Sequence, residues 1–259
     1  MSLRFALWRE RTLRSHPDVT KQQLEDLYAA SVAKIDQKAL DTLALRNRRA
    51  ARDIVEACDY RLKLRIASLK ALTLGLHSAL PARILDIGSG GGYFVTECRH
   101  PGHDAHGTEV PTSRLNNETA AAYREIGQAL QWEPKRLLIQ AHTPIELTTS
   151  YDLITAHKIT FNDYRKPTEW GVSQWQFFVQ DALRLLTPGG HLVLDLNENV
   201  EKYGVRRWYS SELRDFFGSI GSVTQNRIVI GHRRNDRSTT AGRATAPNCM
   251  LRVSCVHFA

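Results

Sequence analysis

The chain has 259 residues, of which 42% are apolar and 24% are charged, a composition typical of a globular protein with a sizeable hydrophobic core. It contains no run of 18 apolar residues and no signal-peptide pattern near its N-terminus, so we expect a cytoplasmic protein without a membrane span. The four cysteines lie far apart and form no CxxC pair, which predicts reduced thiols and no metal site.

The formal net charge of +8 is unevenly distributed along the chain. Residues 1–80 contain 15 Lys and Arg against 9 Asp and Glu, a net charge of +6, and residues 231–259 have a net charge of +4. The basic flanks could favour an anionic small-molecule substrate or RNA. No aromatic-interleaved RNA motif accompanies the charge, so a solvated basic surface is the simpler interpretation.

Two amphipathic segments predict an N-terminal helical cap over residues 1–80. The first segment, residues 18–47, begins with a capping box formed by Thr20 and Gln23, and its apolar residues recur at three- and four-residue steps. The second segment runs from Arg49 to Ser78 with the same periodicity. Each helix has one apolar face to bury against the other helix or against the core domain, which we expect over residues 81–259.

From Pro81 onward, short apolar runs alternate with helical stretches, which is typical of parallel β/α units. Seven strands are predicted, at Arg83–Gly88, Ala105–Val110, Arg136–Ala141, Asp152–His157, His191–Leu196, Val223–His232 and Met250–Phe258. Helices are predicted between them, at Tyr93–His100, Ser113–Ala129, Ser173–Leu186 and Ser210–Gly218. Residues 187–190 predict a tight turn, and residues 233–248 predict a long polar loop.

A glycine turn, Gly88-Ser89-Gly90-Gly91-Gly92, joins the first predicted strand to the next helix. Glycine lets the backbone approach a ligand closely, and the N-terminus of a helix offers unpaired N–H groups to an anionic group such as a carboxylate. Asp86, near the end of the strand, is placed to accept a hydrogen bond from an ammonium group. This pattern predicts a site for the amino-acid end of a ligand.

Glu109 ends the second predicted strand, 19 residues beyond Gly90. An acidic residue at this spacing can accept hydrogen bonds from both hydroxyls of a ribose. NAD sites use the same arrangement, so Glu109 indicates an adenosine ligand without separating the two cofactors. The dinucleotide fingerprint GxGxxG is incomplete in this chain, because Tyr93 occupies the place of its third glycine.

Taken together, these motifs resemble the motif series of class I S-adenosylmethionine-dependent methyltransferases. The series consists of the glycine turn after Asp86, Glu109, the strand 151–156 and the segment 185–194, in the family's order. The resemblance implies an α/β fold with a doubly wound, seven-stranded, mostly parallel sheet, and S-adenosylmethionine as cofactor. It assigns cofactor binding to Asp86, Gly88, Ser89, Gly90, Gly92, Glu109, Val110, Ala141, His142 and His157.

Methyl transfer to an alcohol or phenol also requires a general base. His157 is the first candidate, because an imidazole titrates near neutral pH and the residue ends the fourth predicted strand. Asp163 and Glu198 follow the fourth and fifth predicted strands and are further catalytic candidates. Each of the three also has a purely structural interpretation, as a packed ring or a loop cap.

We therefore expect a methyltransferase that acts on a small molecule, with O-methylation of a sugar or secondary metabolite as the first interpretation. An RNA methyltransferase that uses the basic flanks is one alternative, and a non-catalytic binding module with the methyltransferase fold is another. The helical cap over residues 1–80 is compatible with either an acceptor pocket or a homodimer interface.

Overall fold

The computed structural model describes residues 13–14, 16–158, 170–196, 198–201, 204–207, 210–224 and 227–232, with the backbone alone for residues 198–207. These residues fall into two compact units. Unit 1 contains the described residues up to Pro81 together with Ser89–Arg136. Unit 2 contains Ala82–Gly88 together with the described residues from Leu137 onward. The predicted division into a cap and a core domain at residues 80/81 stays a prediction.

The described residues form helices and strands whose bounds are as follows. The helices are α1 Lys21–Val32, α2 Gln37–Arg46, α3 Arg52–Cys58, α4 Tyr60–Thr73, α5 Tyr93–Arg99, α6 Asn117–Ala129, α7 Val172–Arg184 and α8 Ser211–Ile220. The strands are β1 Arg83–Ile87, β2 Asp104–Glu109, β3 Lys135–Arg136, β4 Tyr151–His157, β5 Leu186–Asp195, β6 Glu198–Glu201, β7 Gly204–Arg207, β8 Ser222–Thr224 and β9 Arg227–Gly231. Within this part of the chain, no helix has the length and apolar character that crossing a membrane demands.

The two predicted N-terminal helices are four helices in the structure, α1 to α4. The first predicted helix is interrupted before α2, where the Asp36 side chain accepts a hydrogen bond from the Ala39 N–H at 2.9 Å. The second is interrupted at Asp59, which caps α4 by accepting from the Leu62 N–H at 3.2 Å. Aspartate at these positions satisfies the free N–H groups of a new helix start, so the predicted continuity was wrong.

The N-terminal helices pack on the later helices of unit 1. Helix α1 contacts α4 and α5, and helices α2 and α3 contact α6. A small cluster of buried apolar side chains, Val19, Leu24, Leu69 and Leu72, joins α1 to α4. The helices predicted to bury one face therefore do so, and within unit 1 they cover the helix that follows the glycine turn.

Seven strands form one sheet in the order β3-β2-β1-β4-β5-β9-β8. The pairs β2–β3, β1–β4 and β4–β5 are parallel, whereas β9 is antiparallel to both β5 and β8. The strand order runs outward from β1 to β3 and then returns to β4 beside β1, which is the reversal that defines a doubly wound sheet. The predicted fold class is confirmed.

The core of unit 2 lies around the central parallel strands. Leu85, Ile154 and Leu192 on β1, β4 and β5 are fully buried, as expected for strands whose two faces are both covered. Trp175 and Phe178 of α7 belong to the same apolar cluster. This packing fixes the carboxyl ends of three neighbouring strands, where the candidate site residues of unit 2 lie.

The predicted third strand, Arg136–Ala141, is much shorter in the structure. Strand β3 consists of two residues that pair with the last two residues of β2. Beyond it, Leu137 and Ile139 pack on the apolar cluster of unit 2 instead of continuing the ladder. Tertiary burial of these two side chains outweighs the strand tendency of the apolar run.

The predicted turn at residues 187–190 lies within β5 as a bulge. Leu186 and His191 pair with the two residues that flank Asp152, so four residues of β5 stand opposite one residue of β4. Gly189 has a φ of +86°, a left-handed conformation that favours glycine. The turn residues therefore widen the strand rather than precede it.

The C-terminal predictions are corrected in part. The single strand predicted at Val223–His232 is a pair of antiparallel strands, β8 and β9. A further hairpin, β6 with β7, was not predicted. The strand predicted at Met250–Phe258 and the loop predicted at residues 233–248 lie outside the described residues.

Candidate functional site

The glycine turn in unit 1 is held by backbone hydrogen bonds. The Ser89 N–H donates to the Thr108 carbonyl oxygen at 2.8 Å, and the Gly92 N–H donates to the Ser89 carbonyl oxygen at 2.9 Å. Gly90 and Gly92 have φ angles of +55° and +84°, which L-residues with side chains rarely adopt. These glycines are therefore required by the turn itself, and not only by the approach of a ligand.

Glu109 contacts the glycine turn directly. Its Oε2 accepts a hydrogen bond from the Gly90 N–H at 2.8 Å, and its Oε1 accepts from the Val110 N–H at 2.8 Å. The residue is buried, with 8% of its surface exposed. Each carboxylate oxygen has two lone pairs, so backbone donors do not exhaust its capacity to accept further hydrogen bonds. The structure thus brings together three residues that the sequence assigns to cofactor binding.

Trp132 supports the turn from within unit 1. Its indole N–H donates to the Gly91 carbonyl oxygen at 2.8 Å. A Cβ atom on Gly92 would overlap the same indole ring. Sequence reasoning missed this residue, because it lies in the connection between α6 and β3 and belongs to no motif.

Tyr93, which occupies the place of the third fingerprint glycine, packs on the N-terminal helices. Its side chain is buried, and its hydroxyl donates to the Ala57 carbonyl oxygen at 2.8 Å. A large residue is accommodated here because its ring joins α3 to the helix that follows the glycine turn. The departure from the dinucleotide pattern therefore has a packing role.

In unit 2, the carboxyl end of β1 carries two of the predicted residues, Asp86 and Gly88. Asp86 is 3% exposed, and it accepts a hydrogen bond from the Thr155 hydroxyl at 2.7 Å. Gly88, just beyond β1, has a φ of +68°. Ligands of open α/β sheets bind where the strand order reverses, which in this sheet is between β1 and β4.

His157 ends β4 and belongs to a part-buried cluster of charged side chains. Its Nδ1 lies 2.7 Å from Oδ2 of Asp195, and Nε of Arg227 lies 2.7 Å from Oδ1 of the same carboxylate. Burial raises the pKa of Asp195, but attraction to Arg227 and the hydrogen bond with His157 outweigh it and hold that pKa well below its usual range. Asp195 is therefore ionised at neutral pH. Sequence reasoning did not identify Arg227.

Of the remaining predicted site residues, two are exposed in a turn, and the side chains of the other two are not among those that the structure describes. Ala141 and His142 are exposed in a turn several residues beyond the short β3, and His142 forms an edge contact with the ring of Phe177. Glu198 begins β6, where only the backbone is described. Asp163 lies outside the described residues. Their proposed roles stay predictions.

The side chains that the structure describes form no cluster of candidate metal ligands. Among them, no group of three or more His, Cys, Asp and Glu residues lies close enough to hold a metal ion. The two cysteines in this part of the chain, Cys58 and Cys98, are both buried.

Solved methyltransferase structures are similar to this chain at low identity. The 16S rRNA N2 G1207 methyltransferase RsmC of T. thermophilus is 21% identical, with a TM-score of 0.40 over 67% of this chain and 42% of that one. The amino pentose methyltransferase CalS10 of Micromonospora echinaspora is 20% identical, with a TM-score of 0.37 over 52% of this chain and 51% of that one. An O-methyltransferase family protein from Burkholderia thailandensis is 16% identical, with a TM-score of 0.42 over 73% of this chain and 62% of that one.

The match spans less than two thirds of each of these three proteins. No protein-family model and no curated protein matches the chain. The sheet itself carries the structural assignment, through its doubly wound strand order and its antiparallel final strands. The chain has a Rossmann-like, doubly wound α/β fold.

Proposed function

We propose that the chain is an S-adenosylmethionine-dependent methyltransferase. The observation that carries the proposal is the contact between the Glu109 carboxylate and the Gly90 N–H at 2.8 Å. This contact couples an acid suited to ribose hydroxyls to a turn whose glycines leave the backbone open. A Cβ atom built on Gly90 meets only the ring end of Tyr123, at 3.8 and 3.9 Å, among the described residues. The residues present therefore fit an adenosine.

The choice of S-adenosylmethionine over a dinucleotide rests on Tyr93. A dinucleotide site places a glycine there so that the helix can pack closely on the sheet. Here the tyrosine is buried against α3 through its bond to Ala57. The cofactor would supply a methyl group on a sulfonium, from which a neutral thioether is a good leaving group, so the protein's part is to align the acceptor and exclude water.

The proposed acceptor is a small molecule, possessing a hydroxyl that is methylated. His157, at the carboxyl end of β4, is the proposed general base, because its imidazole is held by the ionised carboxylate of Asp195. Asp163 and Glu198 stay further candidates. A homodimer through residues 1–80 also stays a prediction.

Replacing Glu109 by alanine is expected to weaken binding of S-adenosylmethionine on the order of 100-fold. The substitution removes charge-assisted hydrogen bonds to the ribose, each contributing about 1.5–3 kcal/mol, and it releases the Gly90 N–H. Isothermal titration calorimetry of the folded variant measures the change in Kd.

Asp104→Ala provides the matched control for this variant. Asp104 begins the same strand β2 that Glu109 ends, and its carboxylate pairs with His106 instead of the glycine turn. We expect this control to bind S-adenosylmethionine as the wild-type protein does. Equal affinities for Glu109→Ala and the wild type would remove the ribose assignment.

RNA is the second candidate acceptor, and the net charge of +6 over residues 1–80 is the observation that favours it. Binding through phosphate contacts falls steeply as salt concentration rises, because bound counterions are released. A structured RNA fragment titrated at several salt concentrations separates the two acceptors. A steep salt dependence of a measurable affinity would favour RNA, and the absence of binding at low salt would favour the small molecule.

A further inference from the structure

The strand register of unit 2 places three charged or titratable side chains in one row. His157 of β4 is paired with Asp195 of β5, and Asp195 is paired with Arg227 of β9. Side chains of residues directly paired across neighbouring strands point to the same face of a sheet. The row is therefore built by the sheet itself, at the carboxyl ends of β4 and β5.

The geometry within the row is specific. Arg227 holds the carboxylate through two hydrogen bonds, from Nε to Oδ1 at 2.7 Å and from Nη2 to Oδ2 at 3.1 Å. Oδ2 also lies 2.7 Å from Nδ1 of His157. The side chains of His157 and Asp195 are 5% and 10% exposed. A bidentate guanidinium leaves the carboxylate little freedom to rotate.

The position of the imidazole proton follows from this arrangement. An ionised carboxylate only accepts hydrogen bonds, so the 2.7 Å contact requires a proton on Nδ1. In the neutral ring the lone pair then belongs to Nε2. Arg227 already balances the charge of Asp195, so the row is electrically neutral when His157 is neutral. A proton on both ring nitrogens would give these three side chains a net positive charge, which is costly where the imidazole is 5% exposed.

We infer that Asp195 and Arg227 are positioning residues, which hold His157 as the neutral tautomer with its proton on Nδ1 and its lone pair on Nε2. Arg227 fixes the orientation of the Asp195 carboxylate, and that carboxylate accepts the hydrogen bond from Nδ1 of the imidazole. The catalytic meaning of this inference rests on the proposed function, in which the Nε2 lone pair would accept the acceptor's proton. The tautomer itself does not depend on that function.

The inference is tested by long-range ¹H–¹⁵N correlation spectra of protein labelled with ¹⁵N-histidine. The spectra are recorded at a pH above the titration range of histidine. The His157 signals are identified among the ten histidines by their loss in His157→Gln. In the wild type we expect the protonated-nitrogen shift on Nδ1 and the lone-pair shift on Nε2. In Asp195→Asn the Arg227 donors hold the amide oxygen, so the amide NH₂ faces Nδ1 and the proton moves to Nε2.

Asp152→Asn is the matched control, because Asp152 lies near the opposite end of β4 and bonds to Thr187 and to the Arg83 N–H. The control is expected to keep the wild-type tautomer. A wild-type spectrum with the proton on Nε2 overturns the inference, and this result stands even if Asp195→Asn fails to fold. Failure of the wild type to bind S-adenosylmethionine would instead remove the proposed function and leave the tautomer result standing.

Discussion

The free energy of unfolding of the wild-type protein is expected to fall as pH rises from 4.5 to about 8, and the Glu97→Gln variant is expected to show little of this decrease. Glu97 of α5 is fully buried in unit 1. Burial raises its pKa from 4.5 to about 8, which outweighs the opposite effect of Ser31 and Ser68. Both hydroxyls donate to backbone carbonyl oxygens, at 3.0 and 2.9 Å, so their effect on the carboxylate is weaker than that of burial.

The sign of this effect follows from proton linkage. Between the unfolded pKa of 4.5 and the folded pKa of about 8, the folded chain binds one more proton at Glu97 than the unfolded chain does. The stability that Glu97 contributes is therefore fully present below pH 4.5, and about 4–5 kcal/mol of it is lost progressively up to about pH 8. Glutamine resembles the protonated acid and does not titrate, so the variant is expected to be the more stable protein above pH 8.

Urea unfolding at a series of pH values measures the difference in unfolding free energy between the wild type and Glu97→Gln. Comparison with Glu133→Gln, which removes an exposed carboxylate of the same unit, corrects for the loss of a surface charge. We expect the control to follow the wild-type pH dependence. A Glu97→Gln profile parallel to the wild type would show that Glu97 titrates normally in the folded chain.

Gly92→Ala is expected to destabilise the protein by about 3–5 kcal/mol, which is in the range of severe core substitutions. Two costs combine at this position. The φ of +84° is strained for any residue with a Cβ, and that Cβ would overlap the indole of Trp132. Displacing the indole also breaks its hydrogen bond to Gly91. Thermal or urea unfolding measures the loss, and calorimetry measures the accompanying loss of S-adenosylmethionine binding.

Gly102→Ala separates the two costs. Gly102 has a φ of +96°, and a Cβ built there meets no atom within 4 Å among the described residues. Its substitution therefore reports the backbone strain alone, which is about 1–2 kcal/mol. If the two alanine variants were equally stable, Trp132 would be free to move and the turn would not depend on it.

Local patterns predicted the elements that form the candidate cofactor site. Strand β1 was predicted as Arg83–Gly88 and observed as Arg83–Ile87, and β2 was predicted as Ala105–Val110 and observed as Asp104–Glu109. An apolar run followed by glycines is a signal carried by neighbouring residues, so it survives in the folded chain. The contact between Gly90 and Glu109 was likewise predictable, because both residues belong to one motif.

Other features depend on residues far apart in the sequence, and no local pattern announces them. Trp132 reaches the glycine turn from 41 residues away, and Arg227 reaches Asp195 across 32 residues. Glu97 was part of a predicted helix, but its burial depends on how α1 and α4 pack on α5. The short β3 has the same origin, since its apolar residues gain more from burial than from strand pairing.

The central claim is tested most directly by calorimetric titration of the folded wild-type protein with S-adenosylmethionine, S-adenosylhomocysteine and, as control, NAD. The account predicts saturable binding of both sulfur ligands with Kd values on the order of micromolar, and no comparable binding of NAD. Binding of NAD in preference to both sulfur ligands, or binding of none of the three, would contradict it.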